Sequence, residues 1–226
     1  MKNDRKYSAW QWVRAYLVLA LLLPFYPLMA LASGRTLPNW ITQKLVRWHV
    51  RYTESHPMDF RIPPDESIPS YMDRWWYIPR NWAFNVYLHI VRRSDDDRAL
   101  HCHPWPNFSI VLTGGYYEHQ IKEGGIHTRT WCGPGSMKFR WHGRKAHRLE
   151  LPIGKNIGEE WVTERPARTT FITGPVLRRW GFHHPTGWVD AYDWDDFCEK
   201  NNLKFMPMGG GSDSVTSARN KITKDQ

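Results

Sequence analysis

The residues best suited to chemistry are His101-Cys102-His103-Pro104. On an extended strand, residues i and i+2 point to the same side. His101 and His103 can therefore offer two imidazoles to one metal ion while Cys102 faces away. His147 follows much later, after Gly133-Pro134-Gly135-Ser136 and a strand, and a strand returning across a barrel could add it as a third imidazole. Three protein nitrogens, with or without one oxygen, leave room at an ion for water, dioxygen or a substrate. Two oxygens compete for the fourth place with solvent. Asn107 offers a weak amide; Glu118 offers a charge that partly neutralises a divalent ion, but lies close to a turn.

Each of these residues also has an ordinary reading. His101 and His103 could be satisfied core or surface histidines, and His147 could pair with Glu150. His142 competes with His147 as a ligand, and His89 sits on an upstream strand that can face the same cavity. His183-His184 fit a loop before Pro185. Cys102 reads as a small buried hydrophobe, or as a thiol acidified by a nearby metal. Asp95-Asp96-Asp97 has the look of a calcium loop without its glycine and distant glutamate, so a solvated turn paired to Arg98 is expected. Arg140 or Arg129 could bind an anionic group. If Met137, Phe139 and Trp141 face the core, however, Arg140 faces out.

The elements that must position these groups read as short strands. Phe84–Val91, Phe108–Leu112, Tyr116–Ile121, Met137–Trp141, Thr169–Thr173 and Val176–Trp180 are apolar or alternating runs. Gly114-Gly115, Lys122-Glu123-Gly124-Gly125 and Gly174-Pro175 separate several of them. Such spacing predicts an all-β sandwich or barrel. No internal repeat is visible.

This arrangement resembles the cupin superfamily. His101-Cys102-His103 followed by Ile110-Val111-Leu112-Thr113-Gly114 is similar to its first motif. Pro134-Gly135 through to His147 is similar to the second. The stretch Ser94-Asp95-Asp96-Asp97-Arg98-Ala99-Leu100-His101-Cys102-His103-Pro104-Trp105 looks like a little-described bacterial and viral cupin-like group. Trp180-Gly181-Phe182 and Gly187-Trp188-Val189 add to that likeness. Such relatives commonly have Asp where this chain has Cys102. Many cupins also carry a Glu shortly after the second His, where this chain has Asn107 and Phe108. The resemblance implies a double-stranded β-helix, or jelly-roll barrel, and a divalent metal held by His101, His103 and His147; the fourth ligand, Glu118, Asn107 or water, is left to donor chemistry. Fe(II) is the first expectation, with Mn, Ni or Zn as alternatives. Two functions follow as expectations: a non-haem metal-dependent oxygenase or related enzyme on a small substrate, or a non-catalytic binding or sensing module for a sugar, lipid head group or partner protein. His103 in the second place of the pair argues against a 2-oxoglutarate oxygenase.

The chain has 226 residues, 41% hydrophobic and 23% charged, which is globular composition. Three cysteines without C-x-x-C spacing exclude a disulfide framework and a Cys-built zinc finger. The net charge of +9 is spread along the chain, so anionic surfaces or ligands are expected and a specific nucleic acid is not. Fourteen Trp would suit carbohydrate or lipid contact as well as core packing. Ala15 to Ala32 carries no charge and is expected to form a single-pass membrane helix. The small-x-small Ala30-Leu31-Ala32 leaves open a cleaved signal and a secreted or periplasmic protein. Basic residues flank the run evenly, so orientation is undecided. Ile41, Leu45, Trp48 and Tyr52 mark an amphipathic helix over 38–52, capped by Thr36, lying on lipid or on the main domain. The expected order is thus an anchor over 1–34, a helix and linker over 35–57, a barrel over 58–208 and a disordered tail over 209–226. The expected partners are membrane lipids, a small-molecule substrate or ligand and, as an option, a second copy of the chain.

Overall fold

The computed structural model describes residues 9–62, 70–95, 99–122, 125–141, 145–154 and 163–203. The expected tail over 209–226, Arg98 and His142 lie outside them. Six strands form the large sheet: β1 (Phe60–Ile62), β2 (Met72–Trp76), β3 (Asn85–Val91), β12 (Ala167–Thr173), β5 (Asn107–Thr113) and β8 (Met137–Arg140), in that spatial order. Facing it are β7 (His127–Cys132), β6 (Tyr116–Ile121) and β9 (Arg148–Glu150) in one three-stranded sheet. A second such sheet holds β14 (Gly187–Asp190), β13 (Gly181–His184) and β4 (Leu100–His101). A two-stranded ribbon joins β10 (Ile153–Gly154) to β11 (Thr163–Glu164), and every pairing is antiparallel.

The period of two sorts the large sheet into two faces. Met72, Val91, Ala167 and Val111 pack with Tyr116, Cys132, Leu149 and Leu151 from the facing strands, which identifies the inner face and plugs one end of it. Moving along the strands from that plug, the inner rows become polar and aromatic. Arg74, His89 and Thr169 stand opposite one another, then Tyr87, Phe171, Ser109 and Lys138, then Asn85, Thr173, Asn107 and Arg140. The β5–β6 turn needs glycine. Gly114 has φ +69°, and a Cβ there would run into the carbonyl oxygen of Pro166.

The outer face is covered by helix. Helix α3 (Asn39–Ser55) lays Trp48 and Tyr52 on Trp75, Leu88 and Ile90, which is the domain-packed alternative for the amphipathic stretch. Its N-cap is Pro38, and Thr36 instead pairs with Ser136. A short C-terminal helix, α4 (Trp194–Lys200), had no clear periodicity. It buries Trp194 and Cys198 against Ala99, with Phe182 and Val189 alongside.

The N-terminal run is not one membrane-crossing helix. It divides into α1 (Ala9–Leu22), a 3-10 turn over Leu23–Phe25 and α2 (Tyr26–Ala32). Among the described residues, no helix is long and apolar enough to cross a membrane. The 14 residues of α1 reach about 21 Å, short of a hydrocarbon core of about 30 Å. Pro24 and Pro27 fall where the ladder changes, as their missing N–H groups dictate. The second half is then tied to β8. Tyr26 stacks on Phe139 at 5.5 Å and meets Trp141 edge-on at 4.7 Å. The Phe139 N–H donates to Ser33 Oγ.

That docking reverses the expected sense of β8. The alternation is present, but Phe139 faces the helices outside the sheet, while Lys138 and Arg140 turn inward. Val176–Trp180 is also not a strand. Leu177 and Arg178 N–H groups both donate to the Pro104 carbonyl, and the ladder begins only at Gly181. His183 and His184 therefore lie on β13, not in a loop.

Candidate metal centre

His101 ends the short strand β4, paired to Phe182 of β13 on one side. On its other side it meets His147 in an isolated bridge, in which each N–H donates to the other's carbonyl at 2.9 Å. This backbone tie brings together two ligands that are far apart in sequence. Their ring centroids are 4.8 Å apart, and the His103 ring lies 5.1 Å from His101 and 5.2 Å from His147. One nitrogen from each of the three rings lies within 4.8 Å of the others, and His103 Nε2 is 2.9 Å from His147 Nε2. Two nitrogens this close share either a proton or an ion. Cys102 projects the other way, is fully buried, and packs its sulfur on the Gly181 backbone at 3.3 to 3.4 Å.

Carboxylates stand behind two of the imidazoles. Glu118 Oε1 is 2.9 Å from His147 Nδ1, and the same carboxylate accepts from Arg140 and faces Lys138 Nζ at 3.4 Å. The structure thus sets Glu118 on the far nitrogen of His147, leaving Nε2 to point at the other rings. Asp95 Oδ2 lies 3.5 Å from His101 Nδ1 and accepts the Leu149 N–H at 2.7 Å, while Oδ1 accepts from the Tyr71 hydroxyl. Asp95 is buried, so the expected solvated turn is corrected at this residue. The alternative pairing of His147 with Glu150 is not formed. Glu150 binds His119 at 2.6 Å and Arg129 at 2.8 Å on the outer side of its sheet. Asn107 is buried and accepts from Arg140 Nη1 at 3.4 Å.

The electrostatics favour neutral ligands. Burial pushes His103 well below the ordinary histidine value, and the nearby His101 and His147 add to this. Burial, then the Arg140 charge, lowers His147 to about 4. Burial alone would raise the Glu118 carboxyl. The Arg140 guanidinium, the His147 hydrogen bond and Lys138 outweigh it and hold Glu118 well below the usual carboxylate range. Neutral imidazoles at His103 and His147, the latter backed by the ionised Glu118, suit a divalent ion, and the His101 ring joins them by position.

An inner wall adjoins the triad. Phe171 lies 5.8 Å from His103 and 5.5 Å from His89 between ring centroids. His89 accepts from Arg74 Nε at 2.9 Å. Asp95 stood in an acidic run read as a turn, with nothing to link it to His101, and Arg74 carried no motif. Only the inward register of β2 could have pointed to Arg74, and no strand was expected there.

No protein-family model matches the chain, and no curated protein matches it. Among solved structures, the chain is similar to the DMSP lyase DddQ from Ruegeria pomeroyi DSS-3, at 16% identity and a TM-score of 0.34 over 49% of this chain and 50% of that one. It is similar to a sugar phosphate isomerase from a cupin superfamily of Silicibacter pomeroyi, at 12% identity and 0.34 over 53% and 74%. It is also similar to the polyketide cyclase RemF from Streptomyces resistomycificus, at 15% and 0.39 over 65% and 92%. The chain spans about half the length of the lyase it matches. None of these activities carries over to this chain at such identities. What the chain itself shows is facing antiparallel sheets on which an H-x-H pair meets a distant histidine.

Proposed function

We propose that this chain is a cupin-like metalloprotein that holds a divalent ion, Fe(II) first, through His101, His103 and His147, and acts on a small substrate. The observation that carries the reading is the convergence of the three rings, with nitrogens within 4.8 Å of one another. An Fe(II) ion bound there would supply Lewis-acid and redox chemistry with coordination positions left over for substrate. The chain's own contribution is positional. Glu118 and Asp95 orient two imidazoles, and Arg140 keeps Glu118 ionised. The apolar plug shuts one end of the inner space against water.

Metal quantification on the full chain tests this. Wild type should bind one ion per chain, and His101→Ala and His147→Ala should each lose most of it. Full retention in both variants removes the reading. Oxygen uptake by the Fe(II)-loaded chain, screened against small acids and sugars, then separates an oxygenase from a module that only binds.

The uncharged N-terminal segment supports a peripheral contact with membrane lipids as part of the same proposal. Leu17, Leu21, Phe25, Leu28 and Leu31 are exposed, with Arg35 and Lys44 nearby in sequence. Co-sedimentation of the full chain with phosphatidylcholine–phosphatidylglycerol vesicles should be strong, and weak for a Leu17→Asp, Leu21→Asp variant. Equal sedimentation of the two would overturn it.

A further inference from the structure

Three cations face inward from the large sheet, and two of them are already matched. Lys138 and Arg140 both face Glu118. Arg129, on the facing sheet, is held by Glu150. Arg74 differs. Among the described residues no carboxylate pairs with it. Its Nε donates to His89 Nε2, its Nη2 meets only the Met72 sulfur at 3.8 Å, and its guanidinium lies 4.8 Å from the Tyr87 ring centroid.

A guanidinium has five N–H donors, and among the described residues Arg74 gives one to the His89 ring and none to an oxygen. Arg74 is half-buried, and burial pulls its pKa below the ordinary arginine value. A thioether and a ring face do not replace an oxygen acceptor. His89 is no counter-charge, because burial first and Arg74 next push it well below the ordinary value and keep it neutral. The fork is thus oriented by His89 and Tyr87 but has no anion to bind among the described residues.

Its position relates it to the triad. Arg74 and His89 stand opposite each other across β2 and β3. Phe171, one inner row further along, touches both His89 and His103. Arg74 is near enough to His103 for its charge to help depress that imidazole.

We propose that Arg74 is the anion anchor of a ligand pocket beside the triad, and that the ligand is a small carboxylic acid whose body lies along Tyr87 and Phe171. A single unmatched positive charge suits a monoanionic carboxylate, taken bidentately. A phosphate dianion would want a second cation, and Lys138 and Arg140 are committed to Glu118. The proposal rests on the metal-centre reading for the far end of the ligand, but the Arg74 end is testable without metal.

The test is calorimetric titration of the chelator-treated full chain with acetate, benzoate, acetamide, benzamide and inorganic phosphate. At least one acid should bind about tenfold or more tightly than its amide. Arg74→Gln should reduce the acid to the affinity of the amide, and Arg74→Lys should restore part of the difference. Metal stoichiometry of Arg74→Gln should equal that of wild type, so loss of acid binding with metal retained is distinct from failure of the metal site. Should Arg74→Gln not fold, the acid-against-amide comparison in wild type decides alone. Equal affinity for acid and amide, unchanged acid binding in folded Arg74→Gln, or a preference for phosphate would each overturn the proposal.

Discussion

Replacing Glu118 by Gln removes one negative charge from a site where Arg140, Lys138 and His147 all converge. Glu118 is 2% exposed and Arg140 4%, so water cannot take over as counter-ion. Removing one partner of a buried ion pair costs about 3–5 kcal/mol. That is a large part of the roughly 5–15 kcal/mol that holds a domain together. Urea unfolding of the metal-free chain, followed by tryptophan fluorescence, should show that loss. Adding Arg140→Met should recover most of it, because the uncompensated guanidinium disappears. Metal affinity should respond separately. The amide oxygen introduced by Glu118→Gln can still accept the His147 Nδ1–H, so this change should weaken metal binding about tenfold. Glu118→Leu leaves that proton without an acceptor and should approach about a hundredfold. If Glu118→Gln is as stable as wild type, or if the Arg140→Met addition makes matters worse, the charge balance described here is wrong.

Acidification should weaken the fold through His49. Burial, then the Arg168 charge, lowers this fully buried histidine to about 4, against about 6.5 when unfolded. Between these values the unfolded chain binds the extra proton, so stability falls as pH drops from about 6.5 to about 4, by about 3 kcal/mol. A His49→Gln chain should show a shallower slope over that window in urea titrations; an identical slope would refute the assignment. Gly114→Ala, forced to a positive φ against the Pro166 carbonyl, should lose about 2 kcal/mol or more, read as a lower melting temperature. Trp48→Ala, which uncovers Trp75 and Leu88, should cost about 2 kcal/mol in the same assay while leaving metal stoichiometry unchanged.

Much of this was legible in the sequence wherever a local rule sufficed. The i, i+2 spacing placed His101 and His103 together with Cys102 behind them, because the backbone continues extended past the end of β4, with the Cys102 N–H donating to the Gly181 carbonyl. The runs read as Phe84–Val91, Tyr116–Ile121 and Thr169–Thr173 were visible from β-rich composition near glycine and proline, and the strands there span Asn85–Val91, Tyr116–Ile121 and Ala167–Thr173. What escaped depended on which side of a strand is covered. Alternation in Met137–Arg140 cannot say whether the apolar side meets a barrel interior or a helix, and here α2 claims it. The inward turn of Arg140 and the role of Glu118 followed from that docking. Asp95 escaped for a related reason. Its partners Tyr71, His101 and Leu149 come from three separate segments, and no spacing rule links them.

The paired amides of residues 101 and 147 hold together the two backbone segments that carry these imidazoles. Because each donates to the other's carbonyl, opening of either segment frees both at once. An ion held by both rings would bridge the same two segments from the side-chain side and should therefore slow deuterium uptake at these two amides, where a strand of only two residues gives little protection of its own.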